Sequence, residues 1–232
     1  MTSPLSEHSQ LLYVSSFDEL IKTPFRGKQN ALCWQRDLEG NFKEIVDLLE
    51  LEDDLTEISS EDLLALSLSE QGQKAREVIL NDMHLLTEIG ALPSLNLIRH
   101  YERDDELDFI STDVYSYHVD RSPIATDTFL CTYYGATSDI IPSDQVTQKI
   151  LIPNIRDQLK QLHQGSEEEF EQFLMEYFFD LHYQPHEDAT ITSLKIGQLC
   201  RLAVDHPKQV VSPCVHRAPL EKNGEYRLLL IC

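Results

Sequence analysis

The chain has 232 residues, enough for one large domain with a substantial core. Forty acidic residues against nineteen basic ones leave a formal charge of −21, a field that repels phosphate backbones and anionic bilayers and argues against nucleic-acid and membrane partners. Without a basic-then-apolar leader, a membrane-length apolar run or a CxxC pair, the five cysteines (Cys33, Cys131, Cys200, Cys214, Cys232) read as reduced thiols of a cytoplasmic protein.

Residues 1–12 are a polar lead-in, and from Ser16 to about Gly90 the periodicity is helical. In "NFKEIVDLLELEDDLTEI", Phe42, Ile45, Val46, Leu48 and Leu49 share one side. "SSEDLLALSLSEQGQKAREVILNDMHLLTEIG" opens on a capping signal at Ser59 or Ser60 and stops at Gly90. After Pro93 the pattern turns β-branched, aromatic and alternating in "SLNLIRHYE", "FISTDVYSYHV" and "DTFLCTYYG". A second helical block, about residues 153–181, carries a stripe of Leu159, Leu162, Phe170, Phe173, Leu174 and Phe178, expected to pack on the sheet system. The tail from Ala189 returns to strand character. The expected class is therefore α+β: a helical region over residues 1–92 packed on a strand-rich core of residues 93–232.

Within that core, "VYSYHVDRSP" puts His118 and Asp120 two positions apart, on one face if the segment is a strand. A second His-x-Asp, His186 and Asp188 in "QPHEDAT", lies too close to the tail to leave room for intervening strands, so the first pair is preferred. His216 stands in a strand-like stretch of the tail, and Arg227 follows it by 11 positions across the turn signal "PLEKNGE". This spacing predicts His216 and Arg227 on neighbouring antiparallel strands. Two His and one carboxylate on one side of a metal leave three coordination positions open, which suits non-haem Fe(II). An adjacent Arg offers a bidentate grip for a carboxylate-bearing co-substrate.

His-x-Asp, a distant His, a Gly-containing turn (Gly224) and Arg before "LLLIC" resemble the last strands of the Fe(II)/2-oxoglutarate-dependent dioxygenase superfamily. More narrowly, "ALCWQRDL", "YHVDRSP", "LCTYYGATS" and "CVHRAPLEKNGEYRLLL" resemble a bacterial domain family of unknown function, family 1826. The resemblance implies a double-stranded β-helix (jelly roll) core with an N-terminal helical region and a helical insert. It implies that His118, Asp120 and His216 hold Fe(II), and that Arg227 binds the distal carboxylate of 2-oxoglutarate. Tyr115, Tyr117, Tyr133 and Tyr134 are candidates for hydrogen-bonding the bound 2-oxoacid. The substrate expected is a small molecule or a protein.

Cys214, two positions before His216, is a possible extra ligand; a Cys/His/His/Asp set would suit a closed Zn²⁺ site. The alternative to an oxygenase is thus a non-catalytic metal-binding protein, for zinc or iron, or an interaction protein on the same fold.

Overall fold

The computed structural model describes residues 9–220 and 224–232. The N-terminal third contains β1 (Leu11–Val14), α1 (Phe17–Lys22), β2 (Ala31–Trp34), α2 (Phe42–Leu48), β3 (Leu55–Ile58), α3 (Ser60–Ala65) and α4 (Glu70–Glu88). Next come β4 (Ser94–Ile98), β5 (Tyr117–His118), β6 (Asp127–Tyr134), β7 (Asp139–Ile141) and β8 (Val146–Gln148). The insert supplies α5 (Pro153–Leu162) and α6 (Glu167–Glu176). The chain ends with β9 (His182–Pro185), β10 (Thr192–Ser193), β11 (Leu199–Ala203), β12 (Val215–Arg217) and β13 (Arg227–Ile231).

The class is mixed α+β with two sheets. One sheet has seven strands in the order β1-β2-β11-β6-β13-β4-β3, and the other has six, β10-β7-β12-β5-β9-β8. From β4 to β7 the chain alternates between the sheets at every strand, and it does so again from β10 to β13. His216 and Arg227 are therefore not on neighbouring strands: β12 belongs to the six-stranded sheet and β13 to the seven-stranded one. The connection after His216 crosses between sheets instead of folding back as a hairpin; residues 221–223 of "PLEKNGE" lie outside the described residues.

The region read as helical also contributes strands. "ALCW" forms β2, a four-residue apolar run too short to make a helix and buried along most of its length. β3 pairs with β4 at the edge of the seven-stranded sheet, its side chains largely exposed except Ile58. The long pattern after Ser59 breaks into two helices, each with its own serine cap, Ser59 for α3 and Ser69 for α4. These helices cover one face of the large sheet around Leu20, Ile45, Leu63, Ile79 and Leu86. Its other face meets the small sheet through Leu130, Cys200, Leu229, Ile140 and Cys214.

The insert departs from expectation in its packing. Leu159, Phe170 and Leu174 bury against Ile110, Ile150, Ile155 and Phe179 in a cluster of their own, while Leu162 and Phe178 are exposed. α6 starts with a Ser166–Glu169 capping box and three glutamates in its first turn.

Two interior links were not legible in the sequence. Cys33 and Cys200 form a disulfide between directly paired positions of β2 and β11, so they are not reduced thiols; Cys131, Cys214 and Cys232 are free. Beneath the helices, wholly buried Asp82 of α4 takes both terminal nitrogens of Arg36 and the Tyr133 hydroxyl, and Arg36 also donates Nε–H to the Gly197 carbonyl. Asp82→Ala would leave a guanidinium and a phenol buried without their acceptor. We expect a loss of about 3–5 kcal/mol in urea unfolding. A loss below about 1 kcal/mol would show that water reaches and satisfies Arg36.

Candidate metal centre

The site is built on the small sheet. β12 pairs with β5 through His216 opposite His118, and β5 pairs with β9 through His118 opposite His182. Directly opposed residues project from the same face, so three imidazoles form a row across three strands. Ring centroids are 4.5 Å apart for His216 and His118 and 5.8 Å for His118 and His182. Asp120 follows β5 two residues after His118. One donor atom from each of His118, Asp120 and His216 lies within 4.8 Å of the others.

Backbone and hydroxyl groups orient these donors. His118 Nδ1 is 2.8 Å from the Ser116 carbonyl and His216 Nδ1 is 3.1 Å from the Cys214 carbonyl. A carbonyl only accepts, so each Nδ1 carries a proton, and in the neutral form of either ring the lone pair is on Nε2. Those two Nε2 atoms lie 4.0 Å and 3.7 Å from the Asp120 carboxylate oxygens. The Thr128 hydroxyl of β6 donates to Asp120 Oδ2, reaching across from the opposite sheet. Such support is what a ligand set needs in order to hold its geometry.

Electrostatics favour the ligating protonation states. Burial and the neighbouring His216 push His118 down to about 4. Burial raises Asp120, but the His216 ring, the Thr128 hydroxyl and His118 outweigh it and hold the carboxyl below its usual range. Burial, His118 and the Lys149 ammonium push His182 down to about 3.

The other candidates separate. Cys214 is outside the cluster; its buried sulfur accepts from the Gln10 amide at 3.6 Å, and burial pushes the thiol up. That removes the closed Cys/His/His/Asp arrangement. Tyr133 faces the helical layer, bonded to Asp82 and stacked on Phe42, and Tyr134 packs against the same cluster. Neither is at Arg227. His186 meets Thr147 on the exposed side of the chain, away from the triad.

Arg227 points between the sheets and is 6 % exposed. Its Nη1 donates to the Tyr101 hydroxyl at 3.3 Å, and its Nη2 to the Thr132 and Ser138 hydroxyls at 3.1 Å and 2.8 Å. Its Nε–H is buried with no acceptor, and no carboxylate pairs with it among the described residues. Burial pulls its pKa below the ordinary value. Arg227 lines a cavity of about 30 Å³ with Tyr101 and Tyr115. Thr132 and Thr128 are four residues apart on β6, which sets the anchor points of Arg227 and Asp120 roughly 13 Å apart along one strand.

An open cleft of about 850 Å³ lies over His118, Asp120 and His182. Its wall is held by Arg121, which joins Asp180 and Asp205. Sequence spacing missed His182, because its relation to His118 exists only in the β5–β9 register. It also missed Tyr101, Thr132 and Ser138, which no motif marks. No family model matches the chain, and no match was found among curated proteins or solved structures.

The two depressed histidines link stability to pH. An unfolded chain protonates these rings near 6.5, whereas the fold resists until about 4 for His118 and about 3 for His182. The unfolded state therefore binds more protons in this interval, and stability falls as pH drops from 6.5 towards 4. For the metal-free chain we expect a loss of about 5 kcal/mol between pH 7 and pH 4.5, read from urea midpoints. His182→Phe should reduce that slope. An unchanged slope in this variant would place the pH dependence elsewhere.

Proposed function

We propose that this chain is an Fe(II)- and 2-oxoglutarate-dependent oxygenase on a double-stranded β-helix core. The observation that carries the reading is a buried arginine with no carboxylate partner among the described residues, joined through one strand to a convergent two-His, one-Asp donor set. A buried guanidinium with an orphaned N–H costs stability unless an anion completes it. The alternation of β4–β7 and β10–β13 between the two sheets, where these strands pair antiparallel, supports the β-helix reading.

The donor set fits the metal. Two neutral imidazoles and one carboxylate suit Fe(II) with open positions and lack the thiolate that a closed zinc site of the expected kind would use. When bound, Fe(II) with a 2-oxoacid would supply O₂ activation: the 2-oxoacid would lose CO₂ and take one oxygen atom into its product carboxylate, and the other would enter a substrate C–H bond. His118 and His216 present their Nε2 lone pairs, held by the carbonyls of Ser116 and Cys214. Asp120 stays ionised and is oriented by Thr128. Arg227 neutralises and orients the distal carboxylate, with Thr132 and Ser138 fixing its guanidinium. The acidic chain favours a small-molecule or protein substrate over nucleic acid.

The small volume beside Arg227 favours a second reading, a metal-binding protein without oxygenase activity. Calorimetry separates the two. Mn(II) should bind the wild type and be lost from His216→Ala. 2-Oxoglutarate should bind the Mn(II)-loaded wild type, and Arg227→Ala should weaken it by about 2–4 kcal/mol with Mn(II) affinity unchanged. No binding to the wild type, or equal binding to both, leaves the metal-binding reading.

A further inference from the structure

Resting on the oxygenase reading, we infer that the cleft above the triad receives an uncharged substrate. That substrate is an apolar molecule or side chain bearing one carboxamide or hydroxyl group, hydrogen-bonded by His182 at the floor and packed on Phe178 at the rim. Two independent features converge on this cleft.

The first is His182. It is 4 % exposed, yet neither ring nitrogen makes a hydrogen bond among the described residues, and Nδ1 is enclosed without a partner. It shares a sheet face with His118 and lines the same cleft. An imidazole carries one donor and one acceptor; Nδ1 is enclosed, whereas Nε2 keeps some exposure and is the ring nitrogen a molecule in the cleft could reach. Asp120, His118 and His216 make a set without it, so its hydrogen-bonding capacity is left for the molecule beside the metal.

The second is Phe178. It follows the last turn of α6 at φ 59°, ψ 13°, the left-handed position where helices ordinarily place glycine. A bulky aromatic residue there is unfavourable, and Phe178 gains little burial in return, being 59 % exposed. Helix termination does not explain an aromatic ring held at the lip of the cleft; a stacking surface for a ligand does.

The charge of the ligand follows from the walls. Asp113 accepts backbone N–H groups from Asp104, Tyr115 and Ser116, while Arg121 and Asp205 pair with one another. Asp120 belongs to the metal set. Each of these carboxylates already has hydrogen-bond partners, although Arg121 is shared between Asp180 and Asp205 and the walls keep a net negative charge; Val114, Pro123, Leu181 and Pro207 supply apolar lining. Among the described residues an anionic substrate would meet no free cation on these walls, and a cationic one would compete with Arg121 and with backbone N–H groups for the carboxylates; a neutral one meets His182.

The test uses the full chain loaded with Mn(II) and 2-oxoglutarate, with benzamide as probe and benzoate and benzylamine as charged comparators. Proton NMR gives two readouts: line broadening by Mn(II), which reports proximity to the ion, and saturation transfer from the protein, which needs no metal. Benzamide should be broadened more than either comparator. Its affinity should fall about tenfold in His182→Ala, recover in His182→Asn and fall again in Phe178→Ala. Phe178→Gly should weaken benzamide without lowering Tm, because glycine relaxes the backbone position. Saturation transfer that depends on His182 without broadening would uphold the subsite and remove the metal from beside it, a failure of the oxygenase reading alone. Equal benzamide binding in wild type and variants, preference for a charged comparator, or no benzamide binding at millimolar concentration would overturn the inference.

Discussion

The pairing of β12 with β5 is the constraint on which the candidate site depends. His216 is opposite His118 at one ladder position, and a slip of one residue would send one of the rings to the other face. With only two residues in β5 and three in β12, this register cannot be held by a long ladder of its own. It is held from the flanks: β7 continues the pairing beyond β12, and β9 does so beyond β5. Arg121 bonded to Asp180 and Asp205, and Arg217 bonded to Asp139, tie the ends of these short strands to their neighbours.

Two buried arginines in the same chain illustrate opposite solutions to burying a cation. Arg36 is closed by Asp82, which also takes the Tyr133 phenol, and the group is complete within the helical layer. Among the described residues Arg227 has three hydroxyl acceptors and no anion, so none of them compensates its charge. Removing solvent from a cation strengthens every interaction it makes with a later-arriving carboxylate. The first arrangement serves the fold; the second is suited to a ligand.

The cleft combines this economy of free charge with a mostly apolar lining. Although the chain carries a formal charge of −21, the carboxylates nearest the triad are bonded to backbone or to arginine. The overall field therefore describes the outer surface and its solubility, while the cleft presents imidazole, aromatic and aliphatic groups.

Sequence alone determined the local chemistry. The two-residue spacing of His118 and Asp120, the strand character around His216, the helix after Asn41 and the capped helix start at Ser59 follow from periodicity, branching and capping, which act over a few residues. It also marked Arg227 as a candidate anchor, though with the wrong neighbour, because turn residues signal a reversal without saying which sheet receives the next strand. Short strands such as β2 and β3 were hidden inside helical periodicity, and the Cys33–Cys200 pairing was invisible in spacing. Only tertiary structure decided that Tyr133 faces Asp82, that His182 joins the histidine row and that Thr128 and Thr132 connect the donor set to Arg227. These relations arise from strand register and from two sheets packing face to face, between residues far apart in the chain whose local sequence carries no record of the contact.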